Sequence, residues 1–460
     1  MLSRLVLSSL FLISRRTCSG LRHLAMTSKH AVGSKNVAVI GAGAAGLATA
    51  RYLRDSGLKV SVMERSSQVG GVWRYTPTSV IYKGLVTNLP KQIMAFYDYP
   101  FPDEQPSFQP HVNIQDYLES FATQYKLRPL IQLDCQVTSV EKILVPDADE
   151  SEQEQVQWKV TTSSGNQGEG EERLFDYVVV ANGHYNKPFT PHIDGIKSFE
   201  GKSLHSMYYD DPSQFKGMKV LCIGARSSGT DVAREVAGVA SEVHVCDRSV
   251  RETSKGGAQG NIWRHPEIQT FAGSNGVTFT DGSTADVDCV IYCTGFDYEF
   301  KFLGPSCQVE AGDGRVHPLY KQIFHCDHPS LSFVGLPHSV VPFPLFALQA
   351  QVIARVYTGQ LDLPGSEERH SWLQSQYENI PEVKETHYLG PQQWEYKKDL
   401  ARLAGCLDDA LLKHLALQED IYNHASKARP SFPGGPDHYR RQEFAVDAEA
   451  GTFVATGGSV

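Results

Sequence analysis

Short apolar runs punctuated by glycine set the pattern of this chain. Val37-Ala38-Val39-Ile40 leads into a glycine-rich stretch and then into Leu47-Ala48-Thr49-Ala50-Arg51-Tyr52-Leu53, an order that predicts strand, turn and helix. Lys59-Val60-Ser61-Val62-Met63 alternates and predicts a second strand, closed by Glu64. Ile114 to Tyr125 is expected as a helix, and Asp176 to Val180 as a buried strand that runs on to Gly183. Between them, Gln136 to Ile143 and Gln157 to Thr162 predict antiparallel strands. The acidic links at 146–152 and 165–172 are expected as solvated loops, and the proline-broken aromatic stretch Phe96 to Phe108 as a packed loop.

The opening pattern then returns. Met218-Lys219-Val220-Leu221-Cys222-Ile223 predicts a strand, Thr230 to Ala237 a helix, Val243-His244-Val245-Cys246 the next strand, and Asp288 to Gly295 closes the unit as Asp176 to Gly183 closed the first. Laid on one another, Gly41 to Glu64 and Gly224 to Asp247 match without a gap. The predicted fold class is α/β: two nested Rossmann-type dinucleotide-binding domains, with an antiparallel β-meander in the first.

The turns carry the chemistry. In Gly41-Ala42-Gly43-Ala44-Ala45-Gly46, Gly41 permits the tight turn, Gly43 lets the backbone approach a pyrophosphate, and Gly46 lets the new helix pack on its strand. Phosphates would sit on the helix N-terminus, where free amides and the dipole favour negative charge. Glu64, 18 residues beyond Gly46, suits an adenosine ribose. A plain strand-turn-helix connection is the alternative for a lone glycine pattern; the flanking elements and the acid favour the dinucleotide. The second turn, Gly224-Ala225-Arg226-Ser227-Ser228-Gly229, has Arg226 where the middle glycine stood, a side chain able to crowd a pyrophosphate or pair with one. Asp247 takes the place of Glu64 and would repel a 2′-phosphate, whereas Arg248 beside it suits one. Weak coenzyme selectivity, with some use of NADH, is the expectation. Two dinucleotides held by one chain are most simply a nicotinamide passing hydride to a flavin.

Composition narrows the partners. The 460 residues carry a formal charge of -9 and no strong basic cluster beyond the N-terminus, which argues against nucleic acid and for a small-molecule ligand. Nine scattered cysteines without a C-x-x-C do not form a disulfide framework. In a strand, Cys289 and Cys293 would lie about 13 Å apart, too far to bridge. Residues 1–54 hold no acid but include Arg4, Arg15, Arg16 and Arg22 among serines, as in a mitochondrial transit segment. Leu5 to Ile13 as a secretory h-region, or initiation at Met26 to give a cytoplasmic protein, are the alternatives. That segment is too short and interrupted to span a membrane, and residues 451–460 offer no anchor.

Gly41-x-Gly43-x-x-Gly46, Gly70-Gly71-x-Trp73, Thr87-Asn88, Phe199-x-Gly201-x-x-x-His205-x-x-x-Tyr209 and Cys293-Thr294-Gly295-Phe296 occur in the order found in the flavin-containing monooxygenases. From about Asn36 to Tyr439 the chain resembles that family, and within it the soluble plant S-oxygenases and insect alkaloid N-oxygenases more than the membrane-anchored mammalian enzymes. The resemblance implies FAD and NADPH as cofactors, with O2 and a nucleophilic sulfur or nitrogen of a small molecule as substrates, by way of a flavin C4a-hydroperoxide. It implies a part 31–207 and a part 291–445 of an FAD-binding domain around an NADPH-binding domain at 208–290; residues 1–30 read as a targeting or disordered segment and 446–460 as a tail.

By the same resemblance, Asn88 lies beside the flavin ring and the coenzyme, and Thr87 orders its loop. An Asn that merely makes a turn before Leu89-Pro90 is the alternative. Gly71, Trp73, Val137, Thr294, Gly295 and Gln349 are implied on the flavin side, as are Leu336-Pro337-His338 and Val341-Pro342-Phe343-Pro344. His205 is expected to fix the linker and position the nicotinamide coenzyme, more as a satisfied structural histidine than as a catalyst. Ala347 stands where many relatives have Glu and inherits no role. A Baeyer-Villiger enzyme, which usually has Trp where Tyr209 stands, is the chemical rival. A flavin disulfide reductase would need a cysteine pair near Gly70-Gly71, which is absent, and a non-catalytic flavoprotein scaffold is the remaining alternative.

Overall fold

Strand Asn36–Ile40 lies at the heart of a seven-stranded sheet, hydrogen-bonded in parallel to Lys59–Met63 on one side and to Tyr177–Val180 on the other. Leu331–Phe333 extends the sheet in parallel beyond Tyr177–Val180, and Ile131–Gln132 beyond Lys59–Met63. The computed structural model describes residues 35–76, 79–146, 154–164, 167–435 and 437–458. Residues 1–30, residues 147–152 of the first acidic link and residues 165–166 of the second lie outside the described residues. The helix after the first strand, Ala44–Asp55, ends at Ser56 with Gly57 in the left-handed region (φ 87°), the usual glycine stop. Leu47 and Leu53 on it are fully buried, each stabilising the fold by about 1.5–3 kcal/mol.

The second sheet repeats the scheme. Its order is Ser254–Gly256, Ile262–His265, Glu242–Cys246, Lys219–Ile223, Cys289–Tyr292 and Lys202–His205, all parallel except the Ser254–Gly256 edge. By its hydrogen bonds this sheet takes in Lys202–His205 and all of Cys289–Tyr292, where the sequence had suggested edges at 208 and 290. Cys222, Cys289 and Cys293 are free, buried thiols in and beside it.

The meander has three strands. Cys135–Pro146 pairs with Glu154–Ser164, and Glu154–Ser164 with Gln167–Phe175. The stretch 165–172, expected as a loop, therefore holds most of a strand. Glu171 and Glu172 are exposed on this edge strand, where charge deters pairing with another chain. The stretch expected as a tail from residue 446 is likewise built into a hairpin, Glu443–Asp447 with Thr452–Thr456, whose Phe444 and Phe453 stack at 5.8 Å. Thr452-Phe453-Val454-Ala455-Thr456 carries only a three-residue apolar run between threonines, and exposed and half-buried residues alternate along it.

Candidate active site

The first turn is defined by crowding. Gly41 sits at φ +102°, and a Cβ there would lie 2.7 Å from the carbonyl oxygen of Ala181. A Cβ on Gly46 would lie 1.9 Å from the Gly41 oxygen, so helix and strand approach as only glycine permits. Gly70 N–H donates to the Ala42 oxygen, and a Cβ on Gly71 would lie 2.9 Å from the Gly43 Cα, which brings the Gly70-Gly71 turn onto the first nucleotide turn. Trp73 follows in a short 3-10 turn, half-buried against the core. Glu64 is buried; one carboxylate oxygen accepts from Ala42 N at 2.7 Å and the other from Ser66 N at 2.8 Å. Cys135 N–H donates to the backbone carbonyl of Glu64 at 2.9 Å, so the strand that carries the buried Val137 starts beside that acid. This is a cradle of bare backbone, free helix amides and a fixed carboxylate, and it fits the pyrophosphate and ribose of FAD.

The second turn has the same skeleton. Gly224 is at φ +105°, and a Cβ on Gly229 would lie 1.8 Å from the Gly224 oxygen. Arg226 caps its helix at φ -76°, ψ -172°, against -73° and -174° for Gly43. The backbone there is extended and accepts any side chain, so Arg226 costs the turn nothing. Burial, and next the charge of Arg226, push His338 down to about 4, so the guanidinium lies near a neutral imidazole of the flavin half.

The acid and the base expected to compete at the second turn, Asp247 and Arg248, each have a partner of their own. Arg264, which sequence reasoning missed, donates from Nε and Nη2 to one Asp247 oxygen at 2.9 and 2.5 Å, while Ser249 N and Oγ donate to the other at 2.9 and 2.7 Å. Burial raises the Asp247 pKa, but these hydrogen bonds outweigh it and the carboxyl is held below its usual range. Arg248 is 70% exposed and reaches Glu267 at 3.3 Å.

The linker histidine is satisfied on both sides. Met207 N–H donates to His205 Nδ1 at 3.1 Å, which leaves the proton on Nε2, 3.0 Å from the Gly295 oxygen. Burial lowers its pKa, consistent with a neutral ring. Thr294 Oγ1 donates to the Phe189 oxygen, and Gly295 O also accepts from Phe189 N at 2.9 Å, so His205 and the Thr294-Gly295 return form one junction. Gln349 is fully buried; its Oε1 accepts from Gly335 N at 3.0 Å and its Nε2 donates to the Tyr396 hydroxyl at 3.2 Å. It supports the turn into Leu336. Tyr209 is buried and donates to Glu235 at 2.7 Å.

Asn88 joins the halves. Its Nδ2 donates to Ser227 Oγ at 3.3 Å, at the start of the second nucleotide helix. Thr87 is pinned at every polar atom nearby: Thr87 N–H donates to Gln109 O at 2.8 Å, Gln109 N–H to Thr87 Oγ1 at 2.9 Å, and Thr87 Oγ1 to Leu89 O at 2.9 Å.

Two phosphate cradles built on repeated units and joined by one polar loop define a redox enzyme of the two-dinucleotide class. The chain belongs to the flavin-binding monooxygenase-like family, whose model matches residues 34–255 and 256–419. It is 39% identical over 400 residues, 80% of this chain and 84% of the relative, to flavin-containing monooxygenase FMO GS-OX-like 2 of Arabidopsis thaliana. Among solved structures it is similar to S-allyl-L-cysteine S-oxygenase from Allium sativum, with a TM-score of 0.80 and 35% identity over 91% of this chain and 96% of that one. Cyclohexanone monooxygenase shares the fold at a TM-score of 0.57 and 16% identity, over 81% of this chain and 98% of that one. The enzyme is a flavin-containing monooxygenase using FAD and NADPH, with O2 and a small molecule as substrates. Among the described residues no helix is long and apolar enough to cross a membrane.

Proposed function

We propose that this monooxygenase oxygenates the sulfur of a small thioether, with Asn88 as the side chain that addresses both the flavin and the nicotinamide coenzyme. The sulfur preference is supported by the S-oxygenase at 35% identity. The role of Asn88 is supported by its bond to Ser227, which sets an amide from the flavin loop at the start of the coenzyme helix. FAD, when bound, supplies the redox chemistry that NADPH drives and O2 completes.

The chain's own residues hold and shield. Gly41 to Gly46, with Gly71, Trp73, Glu64 and Val137, hold FAD; Gly224, Ala225, Arg226, Ser227, Ser228 and Gly229, with Arg248 and Arg264, hold NADPH. His205 keeps the Thr294-Gly295 return against the linker, so that the two halves keep their spacing. The Asn88 amide both donates and accepts, and a fixed amide orients a polar group without exchanging a proton with it. The coenzyme domain on this reading follows its sheet, 202–292, between the two parts of the FAD domain.

Asn88→Ala is expected to leave NADPH consumption within about threefold of wild type while product falls tenfold or more and H2O2 replaces it, since losing one positioned donor costs on the order of 2.7–4 kcal/mol where it acts in the reaction. Offered a thioether and a tertiary amine together, the enzyme should yield sulfoxide, read by mass spectrometry. Unchanged coupling in the variant would remove Asn88 from the site, and N-oxide as the main product would reverse the sulfur assignment.

A further inference from the structure

The carbonyl oxygens of Thr87 and Asn88 are both taken by arginines from the far C-terminal part of the chain. Arg440 Nε donates to Thr87 O at 2.9 Å, and Arg429 Nη2 to Asn88 O at 2.6 Å. Tyr439 lies under both guanidiniums, 5.0 Å from Arg440 and 5.9 Å from Arg429. The remaining edge of Arg440 turns to the other half of the molecule. Its Nη1 and Nη2 donate to the two carboxylate oxygens of Asp231 at 3.0 and 2.8 Å, a fork-to-fork pair on the coenzyme helix Ser227–Ala237. Asp437 accepts from Arg440 Nη1 at 3.0 Å and faces Arg234 at 3.4 Å, and Arg234 in turn donates to Asp231 at 2.6 Å. Two arginines and two aspartates therefore cancel.

The Arg440 side chain is only 7% exposed and Asp231 14%, so water does not compete for the pair as it does at a surface. A buried, bidentate, charge-balanced contact holds one geometry. One guanidinium thus grips the loop of the flavin half with one nitrogen and the helix of the coenzyme half with the other two. Asn88 meets that same helix one turn earlier, through Ser227.

We propose that Arg440 is a positioning residue for oxygenation: it locks the Thr87-Asn88 loop to the coenzyme helix through Asp231, so that the seat of that helix sets the seat of the Asn88 amide. The proposal rests on the role given to Asn88 above. A shift of the coenzyme helix is then carried to the flavin loop through Arg440, and coupling of NADPH use to product depends on an ion pair that lies outside both glycine turns.

The test uses the FAD-loaded enzyme and the variants Asp231→Asn, Arg440→Lys, Arg440→Ala and the double variant Asp231→Asn/Arg440→Ala. Asp231→Asn and Arg440→Lys are expected to keep FAD and to consume NADPH within about threefold of wild type, while the H2O2 released per NADPH rises at least fivefold. The double variant should be no more uncoupled than Arg440→Ala, as for two members of one bridge. Hydrogen-deuterium exchange supplies a readout apart from turnover: Asp231→Asn should speed exchange across residues 85–91, on the other half of the molecule. Unchanged coupling and unchanged exchange in Asp231→Asn would overturn the lock and leave Arg440 as a staple for the C-terminal segment. If Asn88→Ala leaves coupling unchanged, the Asn88 reading falls, and the exchange result in Asp231→Asn alone then decides the lock.

Discussion

The two nucleotide turns share a backbone and differ in what surrounds it. In the first, Ala42, Ala44 and Ala45 are buried, Glu64 is fixed by the Ala42 and Ser66 amides, and a second glycine turn closes over Gly43. In the second, Arg226, Ser227 and Ser228 are exposed, and the acid at the matching place is paired with Arg264. The first is built like core, the second like a surface. A cofactor kept through many turnovers is served by a cradle tied to the fold, whereas a coenzyme that enters and leaves at each turnover needs one whose side chains meet solvent. On this comparison, damage to the first turn should appear as lost FAD and lost stability, and damage to the second as weakened use of NADPH by an enzyme that stays folded.

The harshest way to break the comparison is to make the same change in both. Gly46→Ala and Gly229→Ala each put a methyl within 2 Å of a backbone oxygen, at 1.9 and 1.8 Å, so the local insult is equal. Overpacking of this kind costs about 1–3 kcal/mol or more where the backbone cannot give. Gly46→Ala is expected to purify with less than about a tenth of the wild-type FAD and a clearly lower Tm, because its helix is embedded in the core. Gly229→Ala is expected to keep its FAD and show KM for NADPH raised about tenfold, since the turn it closes presents Arg226, Ser227 and Ser228 to solvent and lies away from the flavin half's core. Absorbance of the purified proteins and steady-state kinetics decide it. Loss of FAD from Gly229→Ala would mean that the halves do not fail separately.

A gentler test sharpens the difference between the two acids. Asp247 is kept ionised and paired by Arg264, and that pairing relieves the repulsion a 2′-phosphate would otherwise meet. The wild-type preference for NADPH over NADH, as a ratio of kcat/KM, is therefore expected above unity and below about a thousandfold. Arg264→Ala leaves the Asp247 carboxylate without its partner and should lower the ratio at least tenfold, about 1.4 kcal/mol. Asp247→Asn should raise it. A wild-type ratio above a thousandfold, or an Arg264→Ala ratio equal to wild type, would show that this pair does not read the coenzyme.

What the sequence reveals follows from the range of the forces involved. Gly41, Gly46, Gly224 and Gly229 are legible because each answers a steric demand set within a few residues, and the repeat of that demand betrays the duplication. Thr87-Asn88 and His205 are found through motifs, and the structure gives them partners that no spacing shows: Ser227 for Asn88 and Gly295 for His205. Arg264, Arg429 and Arg440 have no local signature. Arg440 meets Asp231 across 209 positions, and an arginine among exposed-looking polar residues reads as surface until its carboxylate is seen. The third meander strand escapes for a related reason, since a polar edge strand lacks the apolar run that announces a central one; the final hairpin has apolar runs, Phe444-Ala445-Val446 and Phe453-Val454-Ala455, but each is only three residues long.

The smallest effect is expected where the two turns differ most plainly in sequence. Arg226→Gly restores the middle glycine of the first turn, and because Arg226 already holds the extended angles of Gly43, the skeleton should not move. FAD content should match wild type and Tm should fall by no more than about 1–2 °C, a few tenths of a kcal/mol at a cap position. What changes is charge. On the proposed reading the guanidinium near His338 pairs with the pyrophosphate of NADPH, so its removal should raise KM for NADPH by about three- to tenfold, the share of one charge-assisted contact partly open to water. That increase should shrink as salt is added, because an exposed contact is screened while the buried glycine contacts of the first turn are not. A KM that falls instead would show Arg226 crowding the pyrophosphate, and the second turn would then be a weakened copy of the first rather than one adapted to release.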